Sequence, residues 1–465
     1  MSDPVVDHLL ARHDAILEDL KTLLRMPSVS ADPAFAEGMA DARRFLLDRL
    51  AAIGMENVQL LDGGGQPAVY GDWLHAPGRP TLLVYGHYDV QPPDPLDAWT
   101  TPPFEPTVRD GKLYARGASD VKGSTMIAIE AVAALLAVEG RCPVNVKFFL
   151  EGEEETGSPS LRPLIERYRD LLAADGVLSA DGGRASRELP TVNTGARGSN
   201  GLEFSLRTAS GDLHSGRYGG AVRNALHEMA ALVATLHDRD GRVAVAGFDS
   251  DAAELTDRQR ADVAAFPFHE TAFMAEAGAA AHGDPAYAMR ERITLRPCLD
   301  VNGMWGGYLG VGSKTIIPAE AHAKLTVRIV AGQDARRVID AVVAHLKAHC
   351  PQGVELSFGR IGDGSPASTL APGHPLVLAA ERVLQAETGR RPIPVRLGAS
   401  VPITAIFKET MGIDTLMFGF NLPDEPVHAP NEFFRIESIA MGLRAWPAIL
   451  RELGGFVPAA FRADT

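Results

Sequence analysis

The chain has 465 residues, too many for one ordinary domain, and its 46% hydrophobic and 22% charged residues are those of a globular protein. A formal net charge of −14 with no basic run argues against nucleic acid, whose phosphates require clustered Lys and Arg. Cys142, Cys298 and Cys350 are widely spaced and form no CxxC pair, so reduced thiols are expected rather than a zinc–thiolate knuckle or a disulfide framework.

Met1 to Leu20 mixes charged and apolar residues at helical spacing and lacks the continuous apolar core of a signal peptide, which points to a cytoplasmic protein. Val5–Met26 reads as an amphipathic helix stopped by Pro27, and Phe35–Ile53 as a second stopped by Gly54. Thr81–Tyr85, Val144–Leu150 and Gly176–Ala180 read as short buried strands, with a helix over Ser124–Val138 between the first two. The longest apolar stretch, near Ile127–Val138, contains Glu130 and is too short to span a bilayer, so no membrane partner is expected. Strands alternating with helices predict an α/β domain, a mixed but largely parallel sheet flanked by helices.

After about Asn193 the pattern changes. Gly201–Thr208 and Leu325–Val330 alternate like half-buried strands, and Ala221–His237 and Asp334–His349 read as helices, which predicts a smaller inserted α+β domain. Periodicity is weak between about Asp238 and Arg292, and no element is assigned there. From Pro375 the α/β pattern returns, with a helix to Glu387, a strand at Thr415–Phe418 and a last helix at Ile436–Leu453. The expected division is 1–194 and 371–465 for the first domain, and 195–370 for the insert.

Polar residues gather where the buried strands end. His87 and Asp89 follow the first, in Gly86-His87-Tyr88-Asp89-Val90-Gln91-Pro92, and Asp120 precedes a helix in Arg116–Gly123. Glu151, Glu153, Glu154 and Glu155 follow the second strand, Asp181 the third, and His428 the late one, in Pro426–Glu432. Any of these alone suits a turn, a cap or a solvated acidic face. Their joint occurrence at carboxyl ends of strands, where open α/β sheets bind ligands, marks them as a site. Imidazoles and carboxylates without thiolates suit Zn²⁺, Mn²⁺ or Co²⁺.

Three ordered motifs, GHYDVQP, GASDVKG and EGEEETGS, resemble the active-site signature of M20 metallopeptidases, nearest the cytosolic non-specific dipeptidases and carnosinases. The similarity covers almost the whole chain. It implies a zinc-peptidase-like catalytic domain with an inserted lid and dimerisation domain, two divalent metals per chain (zinc, with manganese or cobalt as alternatives) and a homodimer. His87 and Asp181 would hold one metal, Glu155 and His428 the other, and Asp120 both. Glu154 would be the general base. Asp89 would orient His87, and a cis peptide would follow Asp120. Gly211–Gly216 resembles the family's DLHSG segment, which implies that His214 stabilises the oxyanion at the partner subunit's centre. Thr315, Arg328, and Gly398 and Ser400 of Arg396–Pro402 would contact substrate, with Arg328 clamping a terminal carboxylate through its fork.

Two departures bear on pocket shape. Ala399 stands where the dipeptidase pattern has a second glycine, and no aromatic follows Asp181 closely. Asp175 is the fallback ligand, although it precedes its strand. Gly310–Thr315 lacks the G-K-[ST] order of a phosphate loop, so nucleotide binding is dismissed. The resemblance implies a hydrolase that cleaves dipeptides or short peptides. An N-acyl or N-carbamoyl amino acid amidohydrolase would use the same centre. A non-catalytic metal-dependent binding protein is disfavoured by the presence of Glu154.

Overall fold

Six short runs pair into a sheet in the order Glu56–Leu61, Ala68–Trp73, Asn145–Glu151, Thr81–His87, Gly176–Ser179, Thr415–Met417, the central ones apolar and buried. In this computed structural model, which describes residues 3–187, 189–362 and 364–462, the sheet belongs to the first of two units. That unit comprises Met1–Thr194, Leu370–Val395 and Ile406–Thr465; the second comprises Gly195–Thr369 and Arg396–Ala405. Residues 396–405 thus group with the second unit, although they follow the return of the α/β pattern in sequence.

The two outermost pairings on the Glu56–Leu61 side are antiparallel, and the four strands from Asn145–Glu151 onward run parallel. Parallel strands covered on both faces read as continuous apolar runs. The helix Gly123–Glu139 explains that covering: every residue from Gly123 to Leu135 is buried, and it packs against the sheet, Pro4–Ala11 and Ile436–Leu453. Glu130 is tolerated inside because Arg49 pairs with it. Counted with the non-helical turn at Asp120 and Val121, the run Ala118–Glu139 is longer than the apolar stretch read from the sequence. By length and composition it could cross a membrane, but 78% of its most apolar window is buried inside the protein.

The first predicted helix is two, Pro4–Ala11 and His13–Leu24, broken at Arg12, whose φ of −97° and ψ of 4° leave the helical range. The apolar positions keep helical spacing across the break, so periodicity alone does not reveal it.

The second unit carries a four-stranded antiparallel sheet in the order Cys298–Gly306, Glu320–Ile329, Gly198–Arg207, Glu355–Ile361. Gly198–Arg207 and Glu320–Ile329 alternate buried and part-exposed residues, as one-sided strands do. Helices Ala225–Ala234 and Ala335–His349 cover the buried face. In the stretch without periodicity, the helices Asp257–Ala265 and Glu270–Ala277 bury none of their residues. A helix with no buried face has no apolar stripe to read.

Candidate metal centre

Strand register assembles the centre. His87 pairs with Glu151, Tyr85 with Ser179, and Ser179 with Met417, so the four parallel strands end along one edge and their following loops converge there. At Gly86 an added Cβ would stand 2.5 Å from Thr125 Oγ1, so a glycine before His87 lets the strand pass under the central helix. Asp120 sits in the loop before that helix and is followed by the expected cis peptide to Val121. Glu154 and Glu155 open a single 3₁₀ turn after Asn145–Glu151. His428 lies in a turn at φ +59°.

The predicted ligands meet as two overlapping triads, His87–Asp120–Asp181 and Asp120–Glu155–His428, each with its ligand atoms within 4.8 Å of one another. Asp120 belongs to both. His428 Nε2 stands 2.9 Å from Asp120 Oδ2 and 3.1 Å from Glu155 Oε2, and His87 Nε2 stands 3.3 Å from Asp120 Oδ1. The fallback Asp175 lies at the other end of the strands, where its Oδ2 accepts the Thr81 N–H at 2.8 Å.

His87 Nδ1 donates to the main-chain carbonyl of Asp89 at 3.0 Å, while the Asp89 carboxylate is 3.5 Å away. The Asp89 group nearest the His87 ring is thus its main-chain carbonyl. The carboxylate instead accepts Ser30 Oγ–H at 2.6 Å and the Glu155 N–H at 3.1 Å, tying the two ligand loops together. Gln91 Nε2 donates to Glu155 Oε2 at 3.0 Å.

The electrostatics are those of crowded anions. Burial, then the neighbouring Asp120, pushes the Asp181 carboxyl up to about 8, although His87 opposes this. Burial pushes Glu154 up to about 7, with His87 opposing and Glu155 and Asp120 adding to the rise. Burial also raises Glu151 to about 7, against the 2.5 Å hydrogen bond from Tyr85. For Asp120 burial is outweighed by the hydrogen bond from His428 and by the neighbouring His87, and its carboxyl lies far below the usual range. Hydrogen bonds to Asp120 and Glu155 carry His428 up to about 10, against burial. His87 is raised well above its ordinary value because Asp120 and Asp89 overcome burial.

These residues fit divalent cations. His87 Nε2 is buried without a hydrogen bond, and its Nδ1 partner leaves the Nε2 lone pair facing the acids. Cations would replace the protons that the carboxylates and imidazoles now compete for.

Of the residues expected to bind substrate, Arg328, Ser400 and Gly398 gather in the second unit. Arg328 Nη1 donates to Ser400 Oγ at 3.1 Å, and the Gly398 carbonyl accepts Arg197 Nε–H at 2.7 Å. A Cβ at Gly398 would stand 2.4 Å from the Ile293 carbonyl oxygen, so the turn requires glycine. His214 and Thr315 form another group, where Leu213–His214 pairs with Ile316–Ile317 and the Thr315 carbonyl accepts the Ser215 N–H at 3.1 Å. His214 Nδ1 accepts the Gly216 N–H at 3.0 Å, which places the ring proton on Nε2.

Sequence reasoning assigned no role to Arg116, Ser30, Gln91, Arg197, Glu425 or Glu432. Arg116 opens the motif that carries Asp120 and Glu432 closes the one that carries His428, so proximity to a ligand was the available signal.

Residues 83–452 match the model of peptidase family M20/M25/M40. The chain is 27% identical to human Beta-Ala-His dipeptidase over 97% of its own length and 92% of that protein's. It is 28% identical to the Cys-Gly metallodipeptidase of Candida albicans, over 98% of this chain and 96% of that protein. Among solved structures, the M20 family metallo-carboxypeptidase Sso-CP2 of Sulfolobus solfataricus superposes with a TM-score of 0.78 at 30% identity, covering 95% of this chain and 99% of that one. The match to the family model spans most of the chain, and the chain belongs to peptidase family M20/M25/M40.

Proposed function

We propose that this peptidase hydrolyses the amide bond of dipeptides or short peptides, with His87, Asp120 and Asp181 holding one divalent metal and Asp120, Glu155 and His428 a second. The observation that carries this reading is the pair of triads sharing Asp120. The dipeptidase activities of the human and Candida relatives support the substrate class. Zinc suits the nitrogen and oxygen donors, as do manganese and cobalt.

Two such cations would polarise the scissile carbonyl and lower the pKa of a water between them. Glu154 takes the proton of the attacking water on a carboxylate oxygen and returns it to the leaving amine. Asp89 steadies His87 through its carbonyl and Glu155 through its carboxylate. Arg328, steadied by Ser400, receives the C-terminal carboxylate of the substrate. Gly398 and Thr315 border the same substrate.

The second unit serves as lid and dimerisation domain, so that His214 donates its Nε2–H to the oxyanion at the partner subunit's centre. This is supported by the ring proton set by Gly216 and by exposed apolar residues on one edge strand and its turn: Val301, Met304, Trp305, Tyr308, Leu309 and Val311. A cytoplasmic setting is supported by three unpaired thiols.

The direct test is product release from unblocked dipeptides and from N-acyl and N-carbamoyl amino acids, with metal restored to the purified protein. Turnover of dipeptides is expected. Turnover confined to the N-acyl or N-carbamoyl substrates would replace the dipeptidase reading with an amidohydrolase.

A further inference from the structure

Glu432 is 1% exposed and lies four residues after His428, yet it reaches the other ligand loop. Its Oε2 accepts Arg116 Nη1–H at 2.8 Å and the Gly117 N–H at 3.0 Å. Its Oε1 accepts the Ser119 N–H at 2.9 Å and the Asp120 N–H at 3.1 Å. Its main-chain carbonyl accepts the Ala115 N–H at 3.2 Å. One carboxylate thus gathers main-chain donors from the loop that presents Asp120.

The His428 turn is anchored by its other residues as well. Asn431, at φ +61°, accepts the Thr100 N–H and donates to the Ala98 carbonyl, both at 2.8 Å. Ser119 Oγ donates to Glu425 at 2.7 Å, and Arg435 donates to the same carboxylate at 2.9 Å. The two loops meet where His428 Nε2 stands 2.9 Å from Asp120 Oδ2.

We propose that Glu432 is a positioning residue, a buried carboxylate that fixes the Asp120 loop against the His428 turn and thereby sets the affinity of the centre for its metals. This rests on the reading of Asp120 and His428 as ligands. The chemistry demands a carboxylate at this point. All four groups facing its oxygens are donors, and an ionised carboxylate is acceptor-only. A glutamine in either orientation would turn its NH₂ toward two of them, leaving buried donors opposed. An ion pair that served stability alone would need Arg116 but not three N–H groups of a ligand loop.

The test uses the full-length chain stripped of metal, titrated with Co²⁺ by calorimetry and visible absorption, beside Asp120→Ala and Leu450→Ala. Leu450 is buried in the core of the same unit, and its truncation supplies a destabilised protein with the loop untouched. Glu432→Gln is expected to weaken Co²⁺ binding about 10–100-fold, the usual effect of losing an outer partner of a metal ligand, and to shift the cobalt absorption. Leu450→Ala is expected to lower Tm with affinity and spectrum unchanged. If Glu432→Gln behaves like Leu450→Ala, the residue is structural and the proposal falls. Equal cobalt binding by wild type and Asp120→Ala would overturn the ligand reading itself; binding lost in Asp120→Ala but intact in Glu432→Gln overturns only the positioning role. Should Glu432→Gln not fold, Arg116→Lys keeps the charge but loses one arm of the fork, and weaker cobalt binding with a smaller spectral shift is expected. Wild-type affinity and spectrum in that variant would equally overturn the proposal.

Discussion

Adjacent acids in one 3₁₀ turn are assigned different work, and exchanging each for its amide separates them. Glu155 belongs to a triad, with Oε2 3.1 Å from His428 Nε2, whereas Glu154 belongs to neither triad. Asp120, Glu154, Glu155 and Asp181 together supply four negative charges when ionised, which balance two divalent cations. Glu154→Gln removes one charge and the proton acceptor but no ligand atom. Its kcat is expected to fall by about two to four orders of magnitude, the usual worth of a general base, or about 2.7–5.4 kcal/mol of barrier at about 1.36 kcal/mol per tenfold. Metal content should remain at two per chain. Glu155→Gln removes a ligand, and its metal affinity should fall by more than the roughly 10–100-fold that losing an outer partner costs. The assay pairs dipeptide turnover with metal analysis by mass spectrometry on the same samples. Metal lost from Glu154→Gln but kept by Glu155→Gln would show that the assignment is displaced by one residue and refute the reasoning.

Exhaustive chelation should abolish activity, and readdition of about two equivalents of divalent metal should restore it; full turnover by metal-free protein would sink the two-metal centre. Arg328→Ala should penalise dipeptides with a free C-terminal carboxylate far more than their amides, and equal cleavage of both by wild type would remove the motive for the clamp. His214→Ala should be nearly inactive, since an oxyanion donor is worth roughly 3–4 kcal/mol, and Glu154→Ala likewise, since it lacks the general base. Mixed under subunit exchange, they should regain roughly a quarter of wild-type activity, because about half the dimers are mixed and each has one intact site of two. Activity no greater than the sum of the two mutants, with exchange demonstrated, places His214 in its own chain's chemistry or outside it.

How far the sequence could be read depended on what each residue's signal rested upon. His87, Asp120, Glu155, Asp181 and His428 each sit in a local motif or at the end of an apolar run, so the residues that gather in the two triads could be singled out despite their separation. Elements with a buried face were legible for the same reason: the last helix, Ile436–Leu453, lies where the apolar period places it. The strand Ala68–Trp73 was not read, because Gly71 and the buried Asp72 break its apolar run. Asp257–Ala265 and Glu270–Ala277 were not read because they bury nothing.

Tertiary structure decided what depends on register and on directions in space. Pairing of His87 with Glu151 and of Tyr85 with Ser179 brings the ligand loops to one edge, a long-range choice that no local pattern encodes. The same is true of Glu432, which in sequence is only the acid closing a motif. It meets the Asp120 loop because the chain turns back at His428 and Asn431 through positive φ, and because Arg116 is buried beside it. Residue type and local spacing specify which donors are available; only the folded backbone specifies which donors share an acceptor.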